Sequence, residues 1–489
     1  MKKNNLLICA FLLGISVFLF AAAGYAAPQE GKMPITTSSE KAREFYLQGR
    51  DLFEKLRVQE SSQFFEKAIS QDSNFALACL NLAFTAPSTK AFFESFDKAK
   101  KLVDKVSEGE RLWIMGVDAG NNGFPMKQIE MYQKLVENYP RDERAHNLLG
   151  NAYFAQQDWT NALEEYNKAI QIDSSFSQPY NQMGYAYRFM GDYPEAEKAF
   201  KKYVELIPND PNPYDSYAEL LMKMGKFDAS IESYRKALAV DSHFVASYLG
   251  IATNLNLKGN HQDARKELQR LYAIARNDGE RRAALFAMSV SWADEGKMDL
   301  ALEEQSKAYA LADKIKDSAN MAGDLIIMGN ILLEIGKPDE ALAKYQQAVD
   351  VVEKSSLSKD IKENAKRGYL YNASRVALMK KDLASAKANA QDYLNQVEAI
   401  NNPLQIRLAH ELAGQIALEE KNFDKAMAEL QQSNQLNPYN LYRMALAYQG
   451  KGDKEKAKEF CRNAAEFNGL DGLNYAFIRN RAVRLLGSM

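Results

Sequence analysis

The chain has 489 residues, 46% of them hydrophobic, with 62 basic against 64 acidic side chains. That length exceeds what one globular core fills, so several domains or a repeat array are expected. The hydrophobic content excludes global disorder, and the balanced charge excludes the broad basic footprint of a nucleic-acid binder.

Taken in chain order, the first element is a targeting segment. Lys2 and Lys3 precede an apolar run from Leu6 to Ala23, and small residues follow it. Residues 1–26 therefore read as an export signal with Gly24-Tyr25-Ala26 as the cleavage site. The competing reading is an uncleaved anchor, because the run is nearly long enough to cross a bilayer. Either reading places the protein in the periplasm or cell envelope, free or tethered to the inner membrane, with this segment as the membrane contact. Cys9 falls too early in the apolar run for a lipoprotein site and belongs to the signal. Residues 27–39 are polar and Pro-punctuated, which suits a linker, and Thr37-x-x-Glu40 offers a capping box for the first helix.

From residue 40 onward the sequence repeats itself. In 40–108 the match is divergent: Phe45, Gly49, Leu52, Ser61, Phe65 and Ala68 outline one helical pair. A second is interrupted at Pro87 and rebuilt by Phe92, Phe93, Phe96, Ala99 and Leu102. In 109–278 the period is regular. Gln128, Ala162, Ala196, Ser230 and Ala264 each follow the one before by 34 residues, and four residues after them stand Tyr132, Tyr166, Phe200, Tyr234 and Leu268. Upstream of these lie His146-x-x-Leu149-Gly150-x-x-Tyr153, Tyr180-x-x-Met183-Gly184-x-x-Tyr187, Tyr214-x-x-Tyr217-Ala218-x-x-Leu221 and Tyr248-x-x-Ile251-Ala252-x-x-Leu255. Gly150, Gly184, Ala218 and Ala252 are small so that the two helices of a hairpin approach closely, with the bulky column filling the space beside them. Gly191, Gly225 and Gly259 supply left-handed caps between the helices. In 279–469 the small column continues at Ala301, Ala341, Ala386, Ala426 and Ala457, with spacings that widen to as much as 45 residues, so helices or loops there are longer. Residues 470–489 carry Tyr475, Phe477, Ile478, Val483, Leu485 and Leu486, which suits a helix capping the last apolar face. A membrane-surface role through Arg479, Arg481 and Arg484 is the rival reading.

This pattern resembles the tetratricopeptide repeat family, whose unit is a 34-residue helix-turn-helix. The resemblance implies an all-α, right-handed superhelical solenoid of about twelve repeats with a C-terminal capping helix. It also implies that the first helix of each hairpin lines a concave groove. The groove candidates are Asn147, Asn151, Asn181, Gln182, Tyr185, Arg188, Asp215, Glu219 and Asn256. Amide side chains both donate and accept, so such a row can pair with an extended peptide, or it can be a solvated face. Some family members grip a C-terminal carboxylate with cations on three successive first helices. Here the matching places hold Asn147, Asn151, Gln182, Asn212 and Ser216, without the cations, so binding of that type is not expected.

Residues for catalysis or metal binding do not assemble in the sequence. Of the four histidines, His146, His261 and His410 occupy repeat columns and His243 ends a helix; none has metal-ligand spacing. Cys79 and Cys461 sit at apolar helical places as buried free thiols. Asn372-Ala373-Ser374 matches a glycosylation acceptor inside a helical stretch, where the match carries little weight. Trp113 falls outside the packing columns of its divergent unit, and the core is its expected place. The expectation is an exported scaffold or adaptor for peptide segments or protein partners, supporting assembly of an envelope complex, without catalysis, cofactor or metal and with a homo-oligomer as an open alternative. The second reading is a carbohydrate- or polymer-handling protein using the same groove.

Overall fold

The computed structural model describes residues 31–469 and 472–489. The expected export signal at 1–26 and the first residues of the expected linker lie outside them. Among the described residues there are 25 α-helices, one short 3-10 turn at Val103–Lys105 and no strand. The helices pair into twelve antiparallel hairpins. Repeats 1 to 3 are α1 (Glu40–Glu54) with α2 (Val58–Gln71), α3 (Ala76–Phe84) with α4 (Thr89–Lys100), and α5 (Glu108–Asn121) with α6 (Pro125–Asn138). Repeats 4 to 7 are α7 (Glu143–Ala155) with α8 (Trp159–Ile172), α9 (Gln178–Met190) with α10 (Tyr193–Leu206), α11 (Asn212–Lys223) with α12 (Phe227–Val240), and α13 (Val245–Leu257) with α14 (His261–Ile274). Repeats 8 and 9 are α15 (Asp278–Asp294) with α16 (Met298–Lys314) and α17 (Ser318–Glu334) with α18 (Pro338–Glu353). Repeats 10 to 12 are α19 (Lys359–Met379) with α20 (Leu383–Ala399), α21 (Pro403–Glu419) with α22 (Phe423–Gln432), and α23 (Pro438–Lys451) with α24 (Lys454–Ala465), and α25 (Leu473–Ser488) ends the chain.

The hairpins close by large-beside-small packing. A Cβ on Gly184 would fall 2.6 Å from Cε1 of Phe200, and one on Gly150 would lie 2.7 Å from Cδ1 of Tyr166, so only glycine admits those rings. Repeat 6 departs from the expected pairing. Ala218 already carries a Cβ, and the Tyr234 ring lies instead beneath Gly250 of the next repeat. Gly191, Gly225 and Gly259 hold the expected left-handed conformation, at φ of +80°, +74° and +82°. The first helix is not capped as the sequence suggests. Ser39 is its N-cap, accepting from the Ala42 N–H, while Thr37 donates its hydroxyl to Asp72. A reciprocal capping box forms at Ser107 and Glu110.

Residues 31–39 do not hang free. Gly31 accepts from the Arg141 N–H at 3.0 Å, the Met33 N–H donates to Asp142 at 2.9 Å and the Thr36 N–H donates to Glu110 at 2.8 Å. The segment thus lies across the starts of α5 and α7.

The wider spacing of the C-terminal half is taken up by helix length. Helices α7–α14 run 12–14 residues, whereas α15–α21 run 16–21. Each extra helical turn adds about 5.4 Å of wall. The array also winds onto itself. Lys90 N–H donates to Asp317 at 3.0 Å, Ser358 to Asn122 at 2.6 Å, Asn402 to the Gly123 carbonyl at 2.9 Å and Arg407 to the Gln156 carbonyl at 3.0 Å. Repeats 2 to 4 therefore stack on repeats seven or eight units further along.

Helix α25 turns inward across this second coil. Leu473, Tyr475, Phe477 and Ile478 are buried against α15, α23 and α24, each contributing about 1.5–3 kcal/mol of apolar burial. Arg479 Nε donates to the buried carboxylate of Asp294 at 2.8 Å, and Asn480 donates to the Asp294 carbonyl at 2.9 Å. Arg481 pairs with Glu334. Two of the three arginines of the rival membrane-surface reading are thus engaged in intramolecular ion pairs.

Candidate functional site

The first helix of each hairpin lines the inner face, and in the regular block its polar residues mostly pair with one another. Asn147 donates to Gln178 at 3.2 Å, and Asn151 accepts from the Tyr166 hydroxyl at 2.8 Å. Tyr185 donates to Ser216 and to Glu219, and Arg188 donates to Glu219 at 2.9 Å while lying 4.8 Å from the Tyr185 ring centroid. Asp215 is buried and accepts from Ser247 at 2.7 Å, and Asn256 accepts from Ser291 at 2.8 Å and holds Arg479 through its backbone carbonyl. Asn181 is buried with its Oδ1 unpartnered, and Gln182 is half-buried with no hydrogen bond to a described residue. Most of these bonds span one repeat, so they stitch adjacent first helices together. The structure gathers Tyr185, Arg188 and Glu219 into one cluster and distributes the others along the stack.

Burial raises the Asp215 carboxyl well above its ordinary value, with the Glu219 charge adding to it and the Ser247 hydroxyl opposing it. The histidines are structural in the same sense. His146 bonds Glu165 at 2.6 Å, His410 bonds Glu429 at 2.8 Å and His261 bonds Asp294 at 2.9 Å. Cys79 and Cys461 are free and buried, Asn372 is buried inside α19 and Trp113 is buried in the N-terminal core. Among the described residues, no group of three or more His, Cys, Asp and Glu side chains is placed to hold a metal ion, and no helix is long and apolar enough to cross a membrane.

An open site lies elsewhere, on the inner face of repeats 9–12. It is a cavity of about 550 Å³, within the size range of ligand pockets. The lengthened helices α17, α18 and α19 form its walls, and residues of α20, α21, α23 and the start of α25 also line it. One end is apolar, with Ala319, Ala322, Val352, Leu357 and Ile361; the other holds Asn330, Tyr371, Asn372, Arg375, Glu411 and Arg443. Glu411 is saturated: Arg443 and Tyr371 donate to Oε1, and Asn437 and Asn440 donate to Oε2. Burial alone would raise its carboxyl, but Arg443, Asn440, Arg375 and Tyr371 together hold it below the ordinary value. Glu334, one helical turn beyond Asn330, goes the other way: burial raises it against the pull of Arg481 and Tyr439.

None of these cavity residues was reachable from the repeat pattern as a binding set. One signal for them is in the sequence, however. Gly323 and Gly368 each stand six residues before the small-residue column, held by Gly329 in α17 and Ser374 in α19, and no packing column accounts for them. Leu408 and Tyr439 occupy the same place in repeats 11 and 12, and all four line the cavity.

Comparison with known proteins bears on the repeat. Family models described as TPR repeat or tetratricopeptide repeat match residues 150–188, 218–279, 177–210 and 438–469. Among solved structures, the chain is similar to a tetratricopeptide repeat protein from Parabacteroides merdae at 15% identity, covering 54% of this chain and 99% of that one with a TM-score of 0.36. It is also similar to MamA from Desulfovibrio magneticus at 14% identity, covering 35% of this chain and 96% of that one with a TM-score of 0.29. No curated protein matches the chain.

Proposed function

Because this chain belongs to the tetratricopeptide repeat family and is a protein-interaction scaffold, we propose that it is exported and holds a partner on the inner face of repeats 9–12. One observation carries this reading. The polar inner residues of the regular block are mostly committed to neighbouring repeats, whereas the cavity on repeats 9–12 stands open with an apolar wall and a polar end. Lys2, Lys3 and the apolar run after them support export to the periplasm or cell envelope, where a scaffold of this length can hold parts of a complex together.

Affinity capture from an envelope extract tests it with three forms of the protein. The wild type and Gln182→Ala, which alters the regular block, should retain the same partner. Ala365→Trp, which fills the cavity from α19, should lose it. Retention by Ala365→Trp and loss by Gln182→Ala would move the binding face back to the regular block. A glycan array run with the same three forms separates a polymer ligand from a protein one.

A further inference from the structure

We infer that the cavity on repeats 9–12 is a site for a compact amphiphile, an apolar body ending in a carboxylate. The inference goes beyond partner binding, although it concerns the same cavity.

The first support is a pair of glycines without a packing reason. Gly323 and Gly368 lie inside α17 and α19 at equivalent repeat positions, where glycine weakens a helix. Most helical glycines of the array abut a ring: Gly116 meets Tyr132, Gly184 meets Phe200 and Gly329 meets Tyr345. A Cβ added to Gly323 or Gly368 would meet nothing within 4 Å. Both line the cavity, so what they keep clear is the space a ligand body would occupy.

The second support is a convergence of donors at the polar end. Arg375 donates through Nη1 to Asn330 at 2.8 Å and to Asn372 at 3.0 Å. Its guanidinium also lies beside the Tyr345 hydroxyl, which leaves several of its five N–H groups over, and among the described residues no carboxylate lies within ion-pair distance of it. Asn372 is 6% exposed, accepts from Arg375 through Oδ1, and its Nδ2 donates to no described residue. A guanidinium and an amide with unused N–H groups suit an anion with two acceptor oxygens. Glu411 cannot fill that place, since Arg443, Tyr371, Asn437 and Asn440 already occupy its oxygens.

The third support is that the other carboxylate at this end is engaged as well. Beyond Asn330 on α17, Glu334 is held by Tyr439 and by Arg481 of α25, and Asn474 of α25 also lines the cavity. The ligand's carboxylate would meet Arg375 and Asn372, and its apolar body would lie over Gly323 and Gly368.

Equilibrium titration of the purified protein tests the inference. The probes are decanoate, decanamide, and acetyl-Ala-Leu-Phe with a free or an amidated C-terminus. The inference expects one site per chain and a preference of about tenfold or more for a free acid over its amide, as charge-assisted hydrogen bonds provide. Arg375→Gln should erase that preference while the apolar body still binds, a comparison made within one folded variant. Gly368→Leu should abolish binding of every probe, and Gly323→Ala, which an open helical site tolerates, should weaken it. Stronger binding of decanoate assigns the class to free amphiphiles, and stronger binding of the free-acid peptide assigns it to polypeptide ends. Equal binding of acid and amide by the wild type, undiminished binding by Gly368→Leu, or no binding of any probe would overturn it. Loss of a captured partner by Ala365→Trp without any acid preference would leave the scaffold reading standing and remove this one.

Discussion

Replacing Gly323 and Gly368 with alanine should stabilise the protein, and replacing Gly329 should destabilise it, although Gly323 and Gly329 share one helix. The magnitudes follow from what each new methyl group meets. At Gly323 and Gly368 it meets nothing within 4 Å, so only the helix-propensity gain of about 0.8–1.0 kcal/mol per site remains. The two sites lie on neighbouring helices without a shared partner, so the double variant should gain about 2 kcal/mol. At Gly329 the methyl would lie 2.8 Å from Cδ1 of Tyr345, whose ring is 1% exposed and whose hydroxyl is fixed by Asn330 at 2.9 Å. Relieving that contact means displacing a buried, hydrogen-bonded ring, and overpacking of this kind costs about 1–3 kcal/mol. Urea unfolding followed by circular dichroism gives the sign. Hydrogen exchange assigns the change to repeats 9 and 10, because repeat arrays open in segments. A Gly323→Ala variant as unstable as Gly329→Ala would show that the space over Gly323 is not open, and the reasoning about the cavity wall would fail.

Asp294→Ala should release α25, since it leaves the Arg479 guanidinium buried without its carboxylate, a loss of about 3–5 kcal/mol for such pairs; unchanged exchange protection across Leu473–Ser488 would place the anchor elsewhere. Asp215→Asn should raise the melting temperature at neutral and alkaline pH. The folded pKa of Asp215 lies above its unfolded value near 3.8, so the fold takes up a proton and wild-type stability falls as pH rises from that value through the folded pKa. The gap between variant and wild type should close as the pH drops toward 4, and a gap independent of pH would refute the assignment. Cys79 and Cys461, both buried and with burial pushing their thiols up, should react slowly with thiol reagents until the chain is unfolded; fast labelling of the native protein would contradict their placement.

The repeat was legible because its signal is local and redundant. A small residue, a bulky one four positions on and a capping glycine recur in most units of the regular block, and each has one physical role. The pairing of Tyr234 with Gly250 was not legible, because either neighbouring first helix can offer the gap and only the presence of the Ala218 Cβ decides it. The groove row was legible as polar but not as paired. Positions facing the next first helix and positions facing the groove differ by about one helical step of 100°, too little for spacing to separate Asn151, held by Tyr166, from Gln182, held by nothing described. The stacking of repeats 2 to 4 on the second coil was beyond reach, since it follows from small rotations summed over seven or more units. The cavity was missed for a different reason. Gly323 and Gly368 stand among the many glycines of a repeat array, and only their distance from the small-residue column marks them as surplus to packing.

The most direct test of the account is photo-crosslinking in the producing cell, with the reactive residue placed at Ile326 on the cavity rim or at Gln182 in the regular block. A discrete adduct is expected from position 326 and none from position 182. An adduct from position 182 alone would contradict it and return binding to the groove of the regular repeats.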